Sequence, residues 1–141
     1  ESWERAKEGI EYQFGIWWQA RLVGVISAHS IDRYTYSGEI GYWIAKSAEG
    51  NGIVTQAVNM VIQFLFMEQH LNRIEIRCAD SNKRSQAIPK RLNFRLAGVL
   101  RQAERVGNRL EDLYIYECLK QDWLKRNQGG VGRNDLYHLY C

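Results

Sequence analysis

Gly50 and Gly52, with Thr55 three positions on, stand where a short polar turn meets a long apolar-periodic run. That junction suits an anion. The first amides of a helix have no partner inside it, the macrodipole adds partial positive charge there, and glycine lets a phosphate approach the backbone. Ser47 to Phe66 therefore predicts a site for a phosphate-bearing ligand. Behind it, Val54, Ala57, Val58, Val61, Ile62 and Leu65 follow the spacing of a helix with one buried face. Other residues able to do chemistry are scattered. His29, His70 and His138 have no spacing for a metal site or a triad and are assigned no role. Cys78, Cys118 and Cys141 are odd in number and lack metal-type spacing, which favours reduced thiols in a cytosolic compartment over a disulfide framework.

The elements that must position this junction can be read from periodicity. Ser2 to Ile10 has a cap residue and puts Glu4 and Glu8 on one face, a short amphipathic helix. Tyr12 to Trp18 and Leu22 to His29 are aromatic and β-branched, with Gln19-Ala20-Arg21 as a hairpin loop between them. Asp32 to Gly38 reads as a loop, and Glu39 to Ala45 as a third strand feeding the glycine turn. The helix ends near Gln69 to Asn72. In Arg73 to Ala79, charged and apolar residues alternate, placing Ile74, Ile76 and Cys78 on one face of a strand parallel to the third. A short helix follows from Asn82 to about Leu92, shortened or kinked by Pro89. Phe94 to Glu104 and Leu110 to Leu119 form a hairpin around Val106-Gly107-Asn108-Arg109. The order α, β, β, β, α, β, α, β, β is an α+β chain.

The chain has 141 residues, 45% of them hydrophobic, enough for one domain with one core. Its net charge of +3 is scattered, which argues against direct nucleic-acid binding. Its apolar runs fall short of the roughly 20 residues needed to cross a bilayer, and a leader pattern is absent at the N-terminus. A soluble, cytoplasmic protein is expected. Because the sequence begins at Glu1, a fragment or processed form is also expected. The segment Lys125 to Asn134 is glycine-rich and polar. The expected division is a domain over residues 1–124 and a loosely ordered tail over 125–141.

Two segments together resemble the GNAT superfamily of N-acetyltransferases, in its RimJ/RimL branch, whose namesakes acetylate N-terminal amines of ribosomal proteins. EIGYWIAKSAEGNGIVTQAV is similar to that branch's fourth strand, pyrophosphate loop and following helix. RIEIRCADSNKRSQAIPKRLNFRLAGVLRQAE is similar to its fifth strand, Asn-x-x-Ser segment, fourth helix and sixth strand. The branch's first strand and helix have no counterpart here. Asn93 stands where the branch usually has glycine, and asparagine also tolerates the left-handed conformation.

The resemblance implies a GNAT acyl-CoA N-acyltransferase fold with a mixed central sheet. It also implies acetyl-CoA as co-substrate without a metal, and direct transfer of acetyl to a primary amine, foremost a protein N-terminal α-amine. Polyamines, amino acids and antibiotics are alternative acceptors. By the same resemblance, Gly50, Asn51, Gly52, Ile53, Val54 and Thr55 hold the pyrophosphate. The fourth and fifth strands splay, and Trp43, Ile44 and Ala45 line the pantetheine arm. Asn82 contacts the pantetheine, and Ser85 lies near the sulfur, where a hydroxyl can protonate the departing thiolate. Both residues also read as ordinary capping residues. For the amine proton, the resemblance points to Glu104, acting through a water that Cys78 also holds, and secondly to Glu39. Glu104 also reads as a solvated hairpin carboxylate beside Arg101 or Arg105, and Cys78 as core filler.

Tyr34 and Tyr36 are candidates for an acceptor groove. Two readings of other classes remain open: a CoA-binding module without catalysis, and an interaction protein or homodimer using Trp17, Trp18, Tyr34 and Tyr36 as an exposed patch.

Overall fold

The structure, a computed structural model, describes residues 11–48 and 52–127 and the backbone of residues 138–140. The helix expected over Ser2 to Ile10 lies outside these residues. The strands are β1 (Tyr12–Trp18), β2 (Arg21–Asp32), β3 (Ser37–Ile44), β4 (Arg73–Ala79), β5 (Arg95–Val106), β6 (Arg109–Leu119) and β7 (His138–Tyr140); the helices are α1 (Ile53–Gln63), α2 (Lys83–Arg91) and α3 (Lys120–Arg126). The strands form one sheet in the order β5-β6-β4-β3-β2-β1-β7. It is mixed, as expected. β3 and β4 run parallel across the α1 crossover, and every other neighbouring pair is antiparallel.

Period-two alternation decides which face of the sheet is covered. Ile26 and Ala28 on β2, Ile40 on β3, and Ile74, Ile76 and Cys78 on β4 share a buried face. Against it lies the apolar side of α1, with Ala57, Val58, Val61 and Ile62 all at 0% exposure. Burying each Ile or Val side chain contributes roughly 1.5–3 kcal/mol, so this interface dominates the fold's stability. α3 packs on the same side, where Trp123 lies 5.6 Å from Phe66 and donates to Asn59. The opposite face carries charge. A chain of contacts runs across it from His29 (β2) through Glu39 (β3), Arg77, Glu75 and Arg73 (β4) to Glu117 (β6) and Arg95 (β5).

Several boundaries differ from those expected. The β1–β2 loop is Gln19-Ala20, both at positive φ, and Arg21 already belongs to β2, so the loop is one residue shorter than expected. The expected Asp32 to Gly38 loop loses both ends to strands, leaving residues 33–36 as the connection. The main helix passes into a π-helical turn at Phe64–Glu68. β5 extends to Val106, past Glu104. Residues 125 and 126 are the last of α3, and β7 pairs with β1.

Candidate active site

The site begins with a failure of pairing. β3 and β4 pair only from Ser37↔Arg73 to Ile40↔Ile76, although β3 continues to Ile44 and β4 to Ala79. Each strand keeps its other partner. β4 pairs with β6 along its whole length, from Arg73↔Leu119 to Ala79↔Leu113, and β3 stays with β2 as far as Gly24↔Ile44. The two halves of the sheet therefore part beyond Ile40 and Ile76. This leaves the Tyr42–Ile44 edge of β3 without a strand on the β4 side.

A cleft of about 250 Å³ lies there. Tyr42, Trp43, Ile44 and Ala48 form one wall, and Gly52, Val54 and Thr55 at the start of α1 close one end. The α2 side supplies Asn82, Arg84, Ser85, Ala87, Ile88 and Arg91. Gly50 and Asn51 lie outside the described residues. The Ile53 side chain is buried in the core, which leaves only its backbone amide for the cleft, and Ala45 spends its amide on Val23 O (2.8 Å).

Gly52 is the N-cap of α1, at φ 74° and ψ −3°, a left-handed conformation that glycine adopts without strain. Among the described residues no side chain caps the helix, and its first turn carries no acid. Among the described residues the first-turn amides and the positive end of the dipole thus have no side-chain acceptor, which is the condition an anion requires. Arg84 and Arg91, seven residues apart on one side of α2, add positive charge to the same cleft. Sequence reading missed both arginines; their spacing of two helical turns was the available signal.

Asn82 caps α2. Its Oδ1 accepts from Ser85 N at 3.1 Å, as the capping reading expects, and Asn82 still lines the cleft. The sequence reading also missed Gln86. At 4% exposure, it donates from Nε2 to Ala79 O (2.9 Å) and Asp80 O (2.8 Å), fastening α2 to the end of β4.

Pro89 has a consequence inside the cleft. It supplies no N–H, so the carbonyl four residues earlier, Ser85 O, loses its usual helical donor. The Tyr42 hydroxyl donates to that carbonyl at 2.6 Å, tying β3 to the first turn of α2 across the opening. Burial holds the Tyr42 hydroxyl far above its ordinary pKa, reinforced by Cys78 beside it. Burial likewise raises the Cys78 thiol to about 11, partly offset by the hydrogen bond with Tyr42.

The carboxylates expected to handle the proton are dispersed. Glu39 lies one residue before the strands part, with His29 Nε2 3.5 Å from Oε1 and Arg77 Nε 3.8 Å from Oε2. Glu104 is exposed on β5, two strands from β4, and faces Glu111 across the hairpin. It accepts from Arg105 N and does not line the cleft. Tyr34 and Tyr36 are exposed at 92% and 52%. Among the described residues, no group of three His, Cys, Asp or Glu could hold a metal ion, and no helix is long and apolar enough to cross a membrane.

Comparison with known proteins gives a consistent result. The family described as acetyltransferase (GNAT) domain matches residues 1–95. The "Putative ribosomal N-acetyltransferase YdaF" of Bacillus subtilis (strain 168) is 41% identical over 115 residues, covering 82% of this chain and 62% of the relative. The "Ribosomal-protein-serine acetyltransferase" of Escherichia coli (strain K12) is 34% identical over 110 residues, covering 78% of this chain and 62% of the relative. The solved structure of RimL, a ribosomal L7/L12 α-N-protein acetyltransferase in complex with coenzyme A, superposes with a TM-score of 0.73 at 28% identity, covering 77% of this chain and 62% of that one. The chain thus spans a little over three fifths of the length of these relatives.

Proposed function

Because this chain belongs to the GNAT acetyltransferase family, we propose that its cleft binds acetyl-CoA and that the acetyl group passes directly to a primary amine, in the first instance the α-amine at a protein N-terminus. The observation that carries the reading is the parting of β3 and β4 beside an uncapped helix N-terminus. The uncapped α1 amides beside Gly52, the Thr55 hydroxyl, and Arg84 and Arg91 suit the phosphates. The free edge of β3 at Tyr42–Ile44 suits the pantetheine amides, which can pair there as an added strand would. Gly50 and Asn51 belong to the same loop by resemblance.

The chemistry follows from this placement. The amine nitrogen attacks the thioester carbonyl carbon, a C–N bond forms, the C–S bond breaks, and the thiolate leaves with a proton. Ser85 faces the cleft from the first turn of α2 and is proposed as the donor of that proton. Of the groups suggested for removing the amine proton, Glu39 stands at the parting of the strands, whereas Glu104 stands two strands away, about 10 Å across a sheet of ordinary spacing. We therefore place the acceptor amine on the Glu39 side. Cys78, neutral and packed against Tyr42, shapes the gap.

An N-terminal acceptor is supported by the ribosomal-protein relatives. An α-amine also has a reference pKa of about 7.7 to 8.0, against about 10.4 for lysine, and so demands little of a base. The test is a thiol-release assay with acetyl-CoA against peptides with free N-termini, polyamines and amino acids. N-terminal peptides are expected to react fastest; thiol release only with polyamines would move the acceptor to that class. A Gly52→Asp variant, which sets a carboxylate against the pyrophosphate, is expected to abolish thermal stabilisation by acetyl-CoA, and unchanged stabilisation would refute the loop assignment.

A further inference from the structure

A polar chain on the sheet face opposite the helices extends that reading, on which the present inference rests. Ser27 and His29 on β2, Glu39 and Gly41 on β3, and Glu75 and Arg77 on β4 alternate with the buried Ile26, Ala28, Ile40, Ile74 and Ile76, so they project from the other side of the sheet. His29 is held at both ring nitrogens. Its Nε2 is 3.5 Å from Glu39 Oε1, and its Nδ1 is 3.2 Å from Ser27 Oγ.

The register locates this chain at the gap. His29 pairs with Glu39, the last β3–β4 pair is Ile40↔Ile76, and Gly41 is the first residue of β3 beyond it. A Cβ built on Gly41 would stand 3.3 Å from His29 Cε1 and 3.3 Å from Ser27 Oγ. The imidazole and the hydroxyl therefore lie over the backbone where the strands separate, and a side chain at residue 41 would crowd both. A thioester laid along β3 reaches this opening from the cleft. An amine entering from the other face comes to the side of the sheet that carries His29.

We infer that His29 takes the proton from the acceptor ammonium, with Glu39 positioning the ring. In the tautomer that carries its proton on Nε2, 3.5 Å from Glu39 Oε1, the Nδ1 lone pair is left for the proton, received directly or through the Ser27 hydroxyl, which also lies 3.5 Å from Gly41 O. The ammonium N–H bond breaks, and the proton moves to Nδ1, giving an imidazolium paired with Glu39. The freed nitrogen lone pair attacks the thioester carbon. As the C–S bond breaks, Ser85 gives its hydroxyl proton to the departing thiolate and is restored by the second proton that the nitrogen loses, relayed through solvent; the imidazolium then returns its proton to water. Arg77 gives Glu39 a second partner and is itself held by Glu75, which fixes the carboxylate. Glu11, one residue before β1, continues the β1–β2 register toward His29.

The test uses the full chain with acetyl-CoA and its best peptide acceptor. His29→Gln is expected to lower kcat/KM about 10²-fold or more at pH 7, the usual size of a general-base contribution, with the deficit shrinking as pH rises past the amine's own pKa and with stabilisation by acetyl-CoA unchanged. Glu39→Gln is expected to lower kcat about tenfold with little change in KM and with stabilisation by acetyl-CoA unchanged, a split that a purely structural role would not produce. His29→Asn repeats the measurement if the glutamine variant melts early. Wild-type rates at pH 7 in the His29 variants overturn the inference while leaving acetyl transfer standing. A wild-type chain that acetylates no amine and is not stabilised by acetyl-CoA overturns the underlying reading.

Discussion

Tyr42 and Pro89 are explained only together. A proline inside a nine-residue helix costs about 3 kcal/mol in an isolated helix, partly because it strands a carbonyl. Here the stranded carbonyl, Ser85 O, is occupied by a tyrosine hydroxyl from the facing strand. Tyr42→Phe should therefore destabilise the fold by about 1–3 kcal/mol in urea titration and weaken acetyl-CoA binding severalfold, since the tie across the cleft is lost. Pro89→Ala in the Tyr42→Phe background should recover part of the stability, because residue 89 can then donate to Ser85 O. Additive losses in the double-variant cycle would refute the coupling. Glu104 belongs to the same scale. Exposed and away from the cleft, it is expected to tolerate substitution: Glu104→Gln should keep turnover within about twofold at every pH, and a selective loss below about pH 8 would return the proton to that carboxylate.

At the scale of elements, α2 does two things with one residue. Asn82 caps the helix through Ser85 N and also faces the cleft. The two roles separate on substitution. Asn82→Ala should cost about 1 kcal/mol, whereas Asn82→Ser keeps an oxygen for the cap and should restore most of that stability. If Asn82 also touches the pantetheine, the serine variant should still bind acetyl-CoA more weakly by calorimetry, because a hydroxyl cannot reach as far as a carboxamide. Wild-type affinity in the serine variant would reduce Asn82 to a cap. α1 shows the complementary arrangement, a start without a side-chain cap among the described residues, where φ of 74° at Gly52 restricts the residue to glycine or a strained substitute.

For the whole molecule, the buried thiols set an alkaline limit. Cys78 and Cys118 are both raised by burial from 9.0 to about 11. The folded state thus keeps protons that the unfolded chain releases above about pH 9. Stability from this source is complete below pH 9 and is lost as pH rises through 9 toward 11, on the order of 2–3 kcal/mol for each thiol. Urea midpoints should fall between pH 8.5 and about 10.5, and replacing both cysteines by alanine should flatten that decline. An unchanged slope would place the alkaline sensitivity elsewhere. Alkylation of both thiols by iodoacetamide at pH 8 should also run at least about tenfold slower than that of a free cysteine, because the thiolate is scarce and buried.

The sequence by itself determined what is local. Apolar periodicity drew α1, and the alternation in RIEIRCA placed Ile74, Ile76 and Cys78 on one face. Both readings hold because each rests on residues within a turn or two of one another. Only the tertiary structure decided what depends on two strands parting. Arg84 and Arg91 look out over the cleft because β4 follows β6 while β3 follows β2, and Tyr42 meets Ser85 O because a proline 47 residues further on leaves that carbonyl open. His29 has Ser27 two residues back on its own strand but acquires Glu39 only through strand register, which sets cross-strand distance and has no signature in sequence spacing.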